Sequence, residues 1–311
     1  MSKIKWTDDK IAFIQALYED NTLEEIASKF KKKFKEEITP NAVRKSYYRN
    51  ALPSANFSKQ PKMPKILSLD IETSPIEVYA WSLRQDFTPL NMLKREWSVI
   101  AWCAKFLDED VIHYEDLRNE KNILNDKKIL KKLHKLLDEA DIVLSQNGVR
   151  FDVPKINARF VMHGMKPPSS FRHIDTLKLA RKHFKFTSNK LEWMTNTLCT
   201  DKKKLSHSKF PGFQLWKECE KGNIEAWNEM RDYNIADVES LIELYYILAA
   251  WDSSLNFSVY NDENTPTCSC GNHTFKKSGF YYTNASKFQK YKCDKCGREM
   301  RDKVNLLKKK K

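Results

Sequence analysis

The sequence predicts an α/β protein: a mixed sheet flanked by helices, preceded by a small three-helix domain and followed by a compact cysteine-bearing module. Three observations carry that expectation. Within residues 65–72, positions 67 to 72 alternate apolar and polar side chains as a half-buried strand does. Strand and helix patterns then follow one another up to a long helix over about 223–251. Cysteines pair at 268 and 270 and again at 293 and 296, beyond a break at 261–266. A chain of 311 residues has room for one large core and one or two small modules. With 41% apolar and 12% aromatic residues it can bury that core, which excludes disorder as its dominant state.

The N-terminal block, residues 1–51, reads as three short helices. Ile11, Ile14, Leu17 and Tyr18 recur at helical spacing, and Thr22 with Glu25 forms a capping box ahead of Ile26 and Phe30. Thr39-Pro40 opens the third helix as a cap followed by proline at the first helical position. Val43 and Tyr47 face inward there, which leaves Arg44, Lys45, Tyr48 and Arg49 on other faces. Residues 52–64 hold three prolines and no apolar period, the composition of a linker.

The central block, 65–260, opens with a strand that puts Leu67, Leu69 and Ile71 on one face and Ser68, Asp70 and Glu72 on the other. Strands are expected at 99–107 and 111–114, a helix through Ile129, Leu133 and Leu137, a strand at 141–144, and a helix at 153–162 started by Pro154. A strand at 172–175, helices at 177–184 and 191–198, and the closing helix complete it. In that helix Trp227, Met230, Asn234, Val238, Leu241 and Tyr245 form a stripe with Asp237 at its edge.

Charge is unevenly spread. Lysines and arginines exceed acids by 55 to 41, and the excess lies at the ends: 12 to 8 over residues 1–60, 30 to 30 over 61–263, and 13 to 3 over 264–311. Basic ends on a neutral core point to a polyanionic partner, nucleic acid rather than membrane. No run approaches the roughly 18 apolar residues of a membrane span, and the N-terminus lacks the apolar stretch of a signal peptide. A soluble cytoplasmic monomer is expected. Of seven cysteines, Cys103, Cys199 and Cys219 lie scattered in apolar surroundings, the pattern of core thiols in a reducing compartment.

Three acidic segments carry chemistry. Asp70 and Glu72, two apart on one strand, project from one face about 7 Å apart and repel unless a cation lies between them. Asp152 stands where a strand pattern gives way to a helix, the kind of junction that lines sites in open α/β sheets. Asp237 turns toward the core of the closing helix, at a cost of several kcal/mol unless it is paired or metal-bound. Tyr233 lies one turn before it.

Together Asp70-Ile-Glu72-Thr73, Asn147-x-x-x-Phe151-Asp152 and Tyr233-x-x-x-Asp237 resemble the three exonuclease motifs of the DEDD superfamily in its tyrosine branch. That branch holds polymerase proofreading domains and stand-alone phage exonucleases. His173-Ile-Asp175-Thr-Leu and Lys190-Leu-Glu-Trp193 also look like stand-alone members. The resemblance covers residues 65–251 and implies a ribonuclease H-like mixed sheet and 3′-to-5′ hydrolysis of nucleic acid, in a bacterial or phage-infected cell. It further implies two magnesium or manganese ions on Asp70, Glu72, Asp152 and Asp237, with Tyr233 orienting the attacking water. Thr73, Asn147 and Phe151 would contact substrate. The N-terminal block resembles a Myb- or homeodomain-like helix-turn-helix, whose third helix enters the major groove; Arg44, Lys45 and Arg49 would then touch nucleic acid, with DNA favoured over RNA.

Within residues 261–311, Cys293-Asp-Lys-Cys296-Gly297 has the form of a zinc-ribbon knuckle, whereas Cys268-Ser-Cys270 is one residue short of it. One structural zinc on Cys268, Cys270, Cys293 and Cys296 is expected, His273 being an alternative fourth ligand and disulfides the rival chemistry. Aromatics from Phe275 to Tyr291 alternate with lysines, and four more lysines fill 308–311. Some of these rings must form the ribbon's core, and others could stack on bases. Two other functions use such parts: a transposase-like endonuclease, which places Asp, Asp and Glu in that order, and a binding protein that keeps the fold as scaffold.

Overall fold

Capping chemistry sets the first three helices. In the structure, a computed structural model that describes residues 6–18, 21–50, 63–202, 209–260 and 266–307, these are α1 (Asp8–Leu17), α2 (Leu23–Phe34) and α3 (Pro40–Asn50). Thr22 and Glu25 exchange hydrogen bonds of 2.8 and 3.3 Å at the start of α2, and Lys35, at φ 58°, ends it. Thr39 Oγ1 accepts the Ala42 N–H at 3.1 Å at the start of α3. Ile14, Ile26, Phe30 and Val43 are fully buried between the helices, and Tyr47 stacks on Tyr18 with ring centroids 3.5 Å apart. These helices belong to the first of two compact units, Met1–Gln60; the second is Pro61–Lys311.

In the second unit the strands are β1 (Ile66–Thr73), β2 (Glu77–Val78), β3 (Leu93–Arg95), β4 (Val99–Phe106), β5 (His113–Asp116), β6 (Ile142–Ser145) and β7 (Arg172–Asp175). The helices are α4 (Lys127–Glu139), α5 (Asp152–Met162), α6 (Thr176–His183), α7 (Leu191–Leu198), α8 (Gln214–Glu220) and α9 (Ile224–Ala249). The central sheet runs β5-β4-β1-β6-β7. Here β4 runs antiparallel to both its neighbours, β5 and β1, whereas β6 and β7 run parallel to β1, so the sheet is mixed. Both faces are covered. Leu67, Leu69 and Ile71 pack in one cluster with Ile129, Leu133, Ile156 and Phe160 of α4 and α5. Ser68, on the opposite face, is buried under α9, where its hydroxyl donates to the Val238 carbonyl at 3.5 Å.

The sequence expectation needs three corrections. The hairpin of β2 with β3 and the helix α8 were not foreseen, being only two, three and seven residues long. The strand expected at 111–114 lies at His113–Asp116, because Val111 is exposed and pairing with β4 begins at His113. No helix among the described residues is long and apolar enough to cross a membrane.

The C-terminal module is a three-stranded antiparallel sheet, ordered β10-β9-β8, of β8 (Phe275–Thr283), β9 (Ser286–Cys293) and β10 (Glu299–Asn305). Buried Arg298 ties it to the segment after α9, donating to the carbonyls of Asp252, at 2.7 Å, and Leu255.

Candidate active site and thiol cluster

β1 outruns its parallel neighbour. β6 pairs with it only as far as Ser68, so the Ile71 N–H, between Asp70 and Glu72, lies beyond the end of β6. Asp152, first residue of α5, accepts that N–H at 3.2 Å through Oδ1. The Asp152 side chain is thereby buried against the strand that carries the other two acids. Burial, assisted by the nearby Asp175 charge and opposed by the N–H groups of Ile71 and Asp152, pushes its carboxyl up to about 7.

The turn before α5 makes this approach possible. Asn147 adopts φ 64°, donates its N–H to Asp175 Oδ1 at 3.0 Å, and accepts from the N–H groups of Arg150 and Phe151. A Cβ on Gly148 would stand 2.1 Å from Ser145 Oγ, 2.6 Å from Ser145 Cβ and 3.1 Å from Asp152 Oδ2. Asp175 also caps α6 through the N–H groups of Leu177 and Lys178.

From the opposite face α9 reaches the same strand. Asn234 donates its amide to Asp70 Oδ2, and Tyr233 and Asp237 lie one turn apart on this helix, Asp237 being buried. Cys103, opposite Asp70 on β4, is held far above the usual thiol range by burial and then by the charges of Asp70, Glu239 and Asp237. Asp70 and Asp237 therefore share one neighbourhood. Glu72 pairs across with Ala101. The oxygens of these acids do not close on a common point as tightly as the thiols described below.

Beside Glu72 opens a cleft of about 630 Å³, within the size range of small-ligand pockets. Glu72, Thr73, Trp97, Phe151, Lys155 and Trp216 are among its walls. The Lys155 ammonium lies 3.7 Å from the Trp97 ring centre and 5.2 Å from that of Phe151, and burial depresses its pKa. Trp97 is itself held in place, since its carbonyl accepts from Arg159 at 3.3 Å while Arg159 grips the fully buried Asp126 at 2.6 and 2.7 Å.

Of the expected substrate contacts, Thr73 and Phe151 line this cleft; Asn147 shapes the turn instead. Arg44 is half-buried on α3, and the side chains of Lys45 and Arg49 lie outside the described residues, as do residues 308–311. Sequence reasoning missed Trp97, Lys155, Trp216, Gly148 and Asn234. For Asn234 a signal existed, an amide inside an otherwise apolar stripe. Gly148 and Lys155 flank Asp152 in its own turn and helix, whereas Trp97 and Trp216 are brought to the site by chain crossings that no local pattern encodes.

The second candidate site is the thiol cluster. Sγ of Cys268 lies 3.5 Å from that of Cys296, and Cys270 3.7 Å from Cys293, with all four sulfurs within 4.8 Å of one another. Tetrahedral zinc with bonds of about 2.3 Å requires sulfurs about 3.8 Å apart, whereas a disulfide requires about 2.05 Å. The spacing fits four ligands of one ion, and all seven cysteines are free thiols. His273 is not in the group, and among the described residues no other three or more His, Cys, Asp or Glu side chains gather this closely. Burial would raise the Cys293 thiol, but the N–H groups of Cys296 and Lys295 and the Asn272 amide, 3.2 Å away, bring it down to about 7. A thiol so poised ionises readily toward a cation.

No curated protein matches the sequence. Among solved structures, a family B DNA polymerase from the hyperthermophilic archaeon Pyrobaculum calidifontis is similar at 14% identity and a TM-score of 0.46. The match covers 61% of this chain and 26% of that one, so the chain spans about a quarter of the polymerase's length. Residues 94–249, just over half of the chain and including Asp152, Tyr233 and Asp237, match the family RNase_H_2, described as RNase_H superfamily. With its mixed sheet flanked by helices, the chain belongs to the RNase_H superfamily and is a nuclease-like protein of that fold.

Proposed function

We propose that the chain is a metal-dependent 3′-to-5′ exonuclease that hydrolyses phosphodiester bonds, with DNA as its preferred substrate. One observation carries the reading: three acidic segments far apart in sequence meet at one strand. Asp152 caps the backbone between Asp70 and Glu72, while the helix bearing Tyr233 and Asp237 bonds to Asp70 from the other face.

Asp70, Glu72, Asp152 and Asp237 are hard oxygen donors suited to magnesium or manganese, and a carboxyl held near 7 by burial and a like charge is one that a divalent cation would ionise. Two such ions would supply an activated water and charge stabilisation at the leaving 3′ oxygen. Tyr233 orients the attacking water through its hydroxyl. The cleft beside Glu72 receives the terminal nucleotide, its base against Trp97 and Phe151 and its phosphate near Lys155. The thiol cluster holds one structural zinc, and the N-terminal helices grip DNA as a helix-turn-helix, with α3 toward the groove.

The test uses purified protein with magnesium on single strands labelled at either end and on single-stranded circles. A ladder shortening from the 3′ end with circles intact is the expected result. Cutting of circles would move the reading to an endonuclease, and no magnesium-dependent cleavage of any strand would remove it.

A further inference from the structure

The ribbon exposes aromatic rings that a fold of its size has reason to bury. Phe280, Tyr281 and Tyr282 are 43%, 46% and 65% exposed on consecutive positions of β8, so they alternate between the two faces of the sheet. Each face also carries a cation seated on the rings. On one, Lys287 lies 3.8 Å from the Phe280 ring centre and 5.7 Å from that of Tyr282, and these two rings are 6.4 Å apart. On the other, the Arg301 guanidinium covers Phe288 at 4.3 Å and Tyr281 at 5.3 Å. Among the described residues no carboxylate comes within ion-pair distance of Lys287 or Arg301. Residues 275–305 hold nine lysines and arginines against three acids.

Rings shared out between two faces and covered by separate cations do not form the continuous apolar patch that a protein partner or a bilayer would bury. They match a polyanion that also brings flat π-faces. We propose that this sheet is a binding platform for single-stranded nucleic acid, on which Phe280, Tyr281 and Tyr282 stack bases while Lys287 and Arg301 hold phosphates. Single strands are favoured over duplex because stacking requires bases free of their own helix. The platform is separate from the carboxylate site, and its binding does not depend on hydrolysis.

Fluorescence anisotropy of the full chain tests this, in buffer without added divalent cation so that the probe stays intact. The probes are a labelled oligothymidine, an abasic strand of equal length and a duplex. Phe280→Ala and Tyr282→Ala should each weaken oligothymidine binding about tenfold, given stacking of ~1–3 kcal/mol per base, and leave abasic binding unchanged. Tyr282→Trp should retain binding. Lys287→Gln and Arg301→Gln should each lower the salt slope by about 0.7. Zinc content and circular dichroism should match the parent in every variant. Unchanged affinity in the Phe280→Ala, Tyr281→Ala, Tyr282→Ala triple variant, or an equal loss on the abasic strand, would overturn the proposal. So would polyglutamate competing as well as oligothymidine, which would assign the sheet to an acidic protein.

Discussion

Adding one methyl group at Gly148 should damage both the fold and the site, by an amount the contacts define. The new Cβ would sit 2.1 Å from Ser145 Oγ and 2.6 Å from Ser145 Cβ, far inside van der Waals contact. Ser145 ends β6, is fully buried, and its hydroxyl is bonded to His173 Nε2 at 2.6 Å, so it has nowhere to retreat. Overpacking of this kind costs about 1–3 kcal/mol. At about 2 kcal/mol, a unit of this size should melt roughly 4–8 °C lower. The chain would relax by moving the turn away from Ser145, carrying Asp152 with it and loosening the Ile71 cap, so magnesium or manganese should bind more weakly in calorimetric titration. Ser145→Gly in the Gly148→Ala background removes both colliding atoms and should recover part of the melting temperature. A Gly148→Ala protein that melts with the parent and binds metal as well would refute this account of the turn.

Tyr233→Phe removes one oxygen from a ring that stays in place; single-turnover cleavage at saturating magnesium should slow by up to ~10²–10⁴-fold while metal affinity holds. Arg159→Met strands the buried Asp126 carboxylate with only His163 and the Val99 N–H, and should cost on the order of 3 kcal/mol in a urea midpoint series. His173, pushed down to about 4 by burial, refuses in the folded state a proton that the unfolded chain binds below its ordinary 6.5, so its contribution is full above 6.5 and lost as pH falls toward 4. Asp152 acts in the opposite sense over nearly the same window, since its raised carboxyl holds a proton that the unfolded chain releases. The difference between His173→Gln and the parent isolates the histidine, and it should shift in the variant's favour by up to about 3 kcal/mol between pH 7 and 4. A flat difference would remove that assignment.

The sheet was legible because its strands announce themselves locally. β1 alternates from Leu67 to Glu72, and β4 and β6 are apolar runs buried on both faces. The closing helix was legible for the same reason, its stripe from Trp227 to Tyr245 being the buried face of α9. What sequence could not supply was the third dimension of the site. That Asp152 would cap Ile71 depends on β6 stopping at Ser145 while β1 continues, a fact about relative strand length. That Trp97 and Trp216 would wall one cleft with Phe151 depends on the packing of α5 and α8, and α8 is too short to show a period. The cysteine spacing pointed to a cluster but left its fourth member open between Cys268 and His273; the fold brings the four thiols together.

The most direct test of the central claim, that Asp152 serves to hold metal at the strand carrying Asp70 and Glu72, is the single-turnover rate of magnesium-dependent cleavage of a 3′-labelled strand by Asp152→Asn. The variant keeps the shape of the side chain and an oxygen able to accept the Ile71 N–H, but gives up the charge. The account predicts native circular dichroism, a melting temperature at or above that of the parent because a charge that burial disfavours has been removed, and cleavage reduced to background. Cleavage at the parental rate with the same magnesium dependence would contradict it.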